Sequence, residues 1–135
     1  MKYLAAALMI LCLATSSQAG STKQDLRCLA LNIYHESRGE SSKGQRAVGL
    51  VTLNRVLSQS FPNDVCSVVY QPSQFSWTKN DPIVDEPKAW LKAVKIAREV
   101  TLIKAFGLDT LRASDFHTVH VNPYWKDSYT LVAQI

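Results

Sequence analysis

The sequence predicts an α+β fold that is predominantly α, with one small β element in one domain. Three observations predict it. Apolar residues recur at helical spacing across 26–33, 44–57 and 90–101. Alternating residues at 115–121 suit one strand or extended loop, ended by Asn122-Pro123. The chain of 135 residues is long enough for one core and too short for two domains.

Residues 1–19 read as a secretory signal peptide: Lys2, an apolar run from Leu4 to Ala14, then Ser17-Gln18-Ala19 suited to cleavage. The run is shorter than the about 20 apolar residues a membrane helix needs. Met9 and Leu11 before Cys12 are too large for a lipoprotein cleavage site. An exported protein is expected, in the periplasm or at the cell wall or outside, with no stable membrane insertion once the signal is cut. An uncleaved anchor is the alternative. Residues 20–25 form a short polar lead-in, and 26–135 the functional domain.

Losing Lys2 and no acid lowers the net charge of +4 by one, and no Lys/Arg run occurs. That mild surplus suits attraction to anionic wall polymers and gives no footprint for nucleic acid. Cys28 and Cys66, in an oxidising compartment, read as one disulfide, with two buried thiols as the alternative. Closing such a loop stabilises by roughly 3 to 4 kcal/mol in the chain-entropy model.

In the first helix Leu26, Leu29, Ala30 and Ile33 form the buried stripe, and Gly39 reads as a left-handed C-terminal cap. Glu36 falls beside Leu29 at the edge of that stripe. Partial burial and the negative end of the helix dipole both disfavour its carboxylate, so its pKa is expected above the ordinary range, with Arg38 opposing. A carboxylic acid kept protonated near neutral pH is a general acid.

Ser41 or Ser42 caps a second helix from about Gly44 to Leu57, apolar almost all round and therefore expected at the centre of the fold. Asn54 within it needs a hydrogen-bond partner, a neighbouring loop or a substrate. A turn at Phe61-Pro62-Asn63-Asp64 leads to a short helical segment carrying Val65, Cys66, Val68 and Val69, and Gln74 to Trp77 reads as extended. Pro87 suits the first turn of a helix whose inner face is Trp90, Ala93, Val94, Ala97 and Thr101.

A usual glycosidase pairs two carboxylates. Glu40 is the nearest partner for Glu36, its alternative being a solvated carboxylate or an ion pair to Arg38 or Arg46; Asp64, Asp81, Asp85 and Glu86 are further candidates. A metal site is not expected. His35-Glu36 lacks a second histidine at position 39, and His117 and His120 would face opposite sides of a strand. Nor does any motif call for a cofactor.

Ile33 to Glu40, Gly44 to Val48 and Leu53 to Val56 resemble the opening of the SleB-type cell wall hydrolase family, named for spore cortex-lytic enzymes. The resemblance continues through Phe61-Pro62, Val65 to Gln71, Gln74 to Trp77, Trp90 with Ala93 and Ala97, Phe116-His117 and Pro123-Tyr124-Trp125. It implies a lysozyme-like, lytic-transglycosylase-like domain over 26–135 that cleaves peptidoglycan glycan strands as a monomer. Glu36 matches the catalytic acid. It would protonate the oxygen between N-acetylmuramic acid and N-acetylglucosamine, then take the proton of the muramic C6 hydroxyl as that oxygen closes on C1. Substrate contacts are expected from Glu40, Asn54, Tyr70, Phe75, Trp77, His117, Tyr124 and Trp125, the aromatics by stacking on sugar faces or else as core. The family pattern continues past Gln134-Ile135 into a terminal Gly-x-His-x-Phe-Tyr strand that this sequence is read as lacking. A non-catalytic peptidoglycan-binding accessory protein is the alternative function.

Overall fold

In the computed structural model, residues 18–108 and 113–114 are described. Among them the protein is helical: α1 Gln18–Ser37, α2 Ser42–Val56, α3 Val65–Val69, a 3-10 turn at Ser76–Lys79, and α4 Pro87–Ala105. No strand occurs among these residues. The element expected at 115–121 and most of the signal-peptide reading lie outside them. The 20–25 lead-in is already helical, as part of α1.

α2 packs against α1, α3 and α4, as expected of a central helix, and α1 shares the centre, packing against α2, α3 and α4 in turn. All seven residues from Cys28 to Tyr34 are buried, so this stretch is enclosed on every side. Around α2 burial is less complete, with Leu57 71 % exposed just past its end. Part of its buried surface is polar, which the apolar count passes over. Gln45, Thr52 and Arg55 occupy buried positions on α2, so its inward surface is partly hydrogen-bonding.

The three long helices meet at Gly49. A Cβ there would sit 3.0 Å from Val100 Cγ2 on α4 and 3.1 Å from Ile33 Cδ1 on α1. Glycine therefore permits a helix approach that alanine would force apart. On α4 the inner face is Ala93, Ile96, Ala97 and Val100. Trp90 and Val94 flank it half-buried, and Thr101 is exposed. The stripe is thus rotated from the expected one, towards Ile96 and Val100.

Local chemistry fixes the joints. Ser41 caps α2, its hydroxyl accepting from the Gly44 N–H at 3.1 Å. Asp64 caps α3 through the Ser67 N–H at 2.7 Å, and hydrogen bonding from the Ser67 side chain and then from its N–H holds the Asp64 carboxyl below the usual range. Cys28 and Cys66 form the expected disulfide, with Cα atoms 5.3 Å apart, tying α1 to α3. The Cys66 N–H also donates to Asp25 Oδ1 at 3.3 Å.

Candidate active site at the C-terminal end of α1

At the end of α1 the chain passes from apolar packing into a polar cluster. Gly39 does not form the expected left-handed cap, since the glycine with positive φ among the described residues is Gly107. Buried Gln45 does that work from the neighbouring helix. Its Nε2 donates to the carbonyls of Arg38 at 3.3 Å and Glu40 at 3.1 Å, meeting the need of a helix end for donors. Sequence spacing cannot show this, because the donor comes from α2.

Glu36 sits on the last turn of α1, half-buried. Burial pushes its carboxyl above the usual range, as expected, and the positive charge of Arg55 opposes that shift. The expected opponent had been Arg38. That guanidinium turns away, its Nε donating to Glu86 Oε1 at 2.6 Å, and the bond raises its already high pKa further.

Arg55 is buried at the end of α2. Its Nε donates to the Ser114 carbonyl at 2.6 Å and its Nη1 to Gln74 Oε1 at 3.0 Å. Its guanidinium carbon lies 5.2 Å from the Phe61 ring centroid and 5.7 Å from that of Phe75, within cation–π range. A cation in the motif Leu53-Asn54-Arg55-Val56 gives no sign that it would be drawn inward. The two phenylalanines downstream are the only hint.

An aromatic cluster gathers around His35, the residue before Glu36. His35 stacks on Trp77 with ring centroids 4.6 Å apart and planes at 20°, and meets Tyr34 edge-on at 4.9 Å. Burial, with help from the Arg38 charge, depresses the His35 pKa and keeps the ring neutral. Trp77 Nε1 donates to Asn32 Oδ1 at 3.3 Å, while Asn32 Nδ2 donates to Thr52 Oγ1 at 3.0 Å. Asn32, fully buried, thereby joins α1, α2 and the 3-10 turn. The Tyr34 hydroxyl donates to Asp85 Oδ1 at 2.8 Å and accepts from the Glu86 N–H at 3.1 Å, which pins the segment before α4. That bond holds the Asp85 carboxyl below its usual range.

The expected substrate residues divide. Tyr70 is exposed, and its ring meets Trp77 at 5.8 Å in an edge arrangement. Trp77 is half-buried with one face taken by His35. Phe75 is only 6 % exposed and lies in the core beneath Arg55, so its ring is a packing surface rather than a sugar platform. The extended reading of 74–77 holds at Phe75 (φ −131°, ψ 130°) and then gives way to the 3-10 turn. Asn54 takes the loop partner: its Nδ2 donates to the Ala113 carbonyl at 2.7 Å, and Lys104 Nζ donates to its Oδ1. Glu40 lies beyond the end of α1 with its side chain exposed. Arg38 and Arg46 pair instead with Glu86 and Glu99. The Glu40 carbonyl accepts from Lys92 Nζ at 3.4 Å. His117, His120, Tyr124 and Trp125 fall outside the described residues. Among the described residues no three His, Cys, Asp or Glu side chains group as a metal site, and no helix is long and apolar enough to cross a membrane.

A half-buried carboxylic acid at a helix end, its pKa raised by burial with the charge of Arg55 opposing, has the elements of an acid–base site. Comparison with known proteins supplies the class: residues 39–135 match the family model described as Cell Wall Hydrolase, and the chain belongs to that family. Glu36 lies just ahead of the matched span. Among its relatives, the spore cortex-lytic enzyme of Bacillus subtilis is 35% identical over 96 residues, 71% of this chain and 30% of that protein. The spore cortex-lytic enzyme of Bacillus cereus is 40% identical over 78 residues, 58% of this chain and 30% of its own length. That of Oceanobacillus iheyensis is 36% identical over 90 residues, 67% and 30% respectively. The chain thus spans under a third of these relatives. No solved structure matches it.

Proposed function

We propose that the protein is an exported, monomeric peptidoglycan-cleaving glycosidase with a lysozyme-like fold, and that Glu36 is its catalytic acid. The observation that carries this reading is the half-buried Glu36, its carboxyl pushed upward by burial, in a chain of the cell wall hydrolase family. A carboxyl that burial makes hold its proton more tightly can carry that proton to a departing glycosidic oxygen.

The reaction is a lytic transglycosylation. Glu36 gives its proton to the oxygen linking N-acetylmuramic acid C1 to N-acetylglucosamine, and the C1–O bond breaks. The Glu36 carboxylate then takes the proton of the muramic C6 hydroxyl as that oxygen bonds to C1. Glu36 ends protonated as it began, the product is a 1,6-anhydro sugar, and no water is consumed. The nucleophile belongs to the substrate, so one carboxyl suffices. The exposed position of Glu40, beyond the helix that carries Glu36, favours this over a two-carboxylate scheme. Exposed Tyr70 and the open edge of Trp77 are the aromatic surfaces offered to a sugar ring.

The test is mass spectrometry of muropeptides released from purified peptidoglycan. Products one water lighter than hydrolysed fragments are expected. Reducing-end products would mean a hydrolase and return attention to Glu40 and Asp81. A folded protein that binds peptidoglycan and releases nothing would be the accessory module.

A further inference from the structure

The surface made by α4 and the first half of α1 takes no part in the cluster at the end of α1, and its composition is unusual. Charge is concentrated there: α4 carries five cations and one acid, a surplus equal to that of the whole chain. At 3.6 residues per turn, Leu91, Lys95, Arg98 and Leu102 follow one another along a single stripe. All four are exposed, the leucines to 68 % and 57 %. Just past the helix end Phe106 is 72 % exposed. Glu99, the acid of α4, turns aside to pair with Arg46 of α2.

Beside this stripe, between α4 and α1, runs an open groove of about 440 Å³. Its floor includes Ala30, Trp90 and Val94, its rim is Lys23, Arg27 and Arg98, and no acid lines it. None of Lys23, Arg27, Lys95 and Arg98 makes an ion pair among the described residues. Unpaired cations around exposed leucines fit an occupant that is both anionic and apolar. The core of a protein interface is depleted in lysine, yet Lys95 and Arg98 lie between the two leucines. An anionic polymer would meet the cations and leave the leucines in water. A bilayer with anionic headgroups meets both, because a helix lying in its interface sinks apolar side chains to acyl-chain depth and holds its cations near lipid phosphates.

We propose that the outward face of α4, with the adjoining rim of α1, docks on an anionic phospholipid bilayer. Leu91, Leu102 and Phe106 enter the interface, while Lys95, Arg98, Lys23 and Arg27 meet the lipid phosphates. Roughly two and a half turns of α1 separate Arg27 from Glu36, which puts them on opposite sides of that helix. A chain resting on a membrane through α4 therefore turns Glu36 away from the lipid. The inference stands on this surface and does not depend on Glu36 being the acid.

The experiment is flotation of the protein, as its host exports and processes it, with vesicles of mixed phosphatidylglycerol and phosphatidylcholine, beside vesicles of phosphatidylcholine alone. The wild type is expected to favour the anionic vesicles by about tenfold or more, since each Lys or Arg near such a surface contributes roughly fivefold. That preference should fade as salt rises towards about 1 M. Lys95→Glu combined with Arg98→Glu should abolish it at an unchanged melting temperature. Leu91→Gln combined with Leu102→Gln should weaken binding to the anionic vesicles several-fold and keep the salt dependence. All four positions are exposed, and if one pair fails to fold the other decides. Equal binding of the wild type to both vesicle types overturns the proposal, as an uncleaved apolar run at 4–14 would give. A preference untouched by the charge reversals overturns it, and so does binding untouched by loss of the leucines, which would be headgroup adsorption alone. Binding to neither vesicle also overturns it and leaves the face to an acidic protein partner. Flotation needs no turnover, so a wild type that releases no muropeptides refutes the function and leaves the docking surface standing.

Discussion

Between Cys28 and Tyr34 every residue of α1 is buried, and the neighbours are largely Val, Ile and Ala side chains from α2, α3 and α4. From His35 to Glu40, on the same helix and the turn that follows, Ser37 alone is fully buried and the neighbours are charges and amides. One stretch gains stability by removing apolar surface from water. The other holds a half-buried acid and a half-buried histidine, each disfavoured as a charge by burial. The difference teaches where this fold is built for stability and where it gives stability up. Active sites are commonly places where pKa values are displaced in this way.

The comparison can be broken at its stable end first. Ile33, fully buried against Gly49, is expected to cost about 2 to 5 kcal/mol as alanine, read as a lowered midpoint in urea; a cost below about 1 kcal/mol would deny α1 its central place. Gly49→Ala at the three-helix crossing should cost about 1 to 3 kcal/mol by overpacking Val100 and Ile33. A neutral result there would mean that the helices shift apart freely.

At the polar end the effects are smaller and depend on pH. Tyr34→Phe removes the hydroxyl that joins Asp85 to the Glu86 N–H, and about 1 kcal/mol is expected. Hydrogen exchange should then rise at Glu86 while α3 stays protected; equal change in both would show that Tyr34 serves the core alone. His35 has a depressed pKa, so its neutral form is the one the fold accepts. Its contribution is present above the unfolded value of 6.5 and is lost as pH falls through the lower folded value. His35→Phe, which keeps a stacking ring, should therefore flatten the fall in melting temperature on the acid side, and an unaltered pH slope would contradict this.

Much of the stable end was legible in the sequence. Helical spacing marks α1, Ser41 or Ser42 announces α2, Pro87 opens α4, and two cysteines in a chain read as exported imply their own bond. Glu36 was legible too, because its place relative to Leu29 and Ile33 fixes its exposure by helical geometry alone. What escaped depends on partners distant in sequence. Gln45 replaces a glycine cap from the next helix, Arg55 is drawn in by Phe61 and Phe75, and Gly49 is small because two other helices need its space. Phe75 takes the second of its two expected roles, core rather than sugar platform, because its ring packs under a guanidinium. That α1 shares the centre with α2, and that α2 buries Gln45, Thr52 and Arg55, is what a count of apolar residues cannot weigh.

The most direct test of the central claim is to measure Glu36→Gln beside the wild type at neutral pH, for both thermal stability and muropeptide release. The raised pKa means that the folded state holds the Glu36 proton more tightly than the unfolded chain does, so stability is lost as pH rises through the folded value. A neutral glutamine avoids that loss. The account predicts a variant that melts higher than the wild type at neutral pH, by a margin that closes as the pH is lowered, and that releases no soluble muropeptides. A variant that melts lower, or one that still cleaves peptidoglycan, would contradict it.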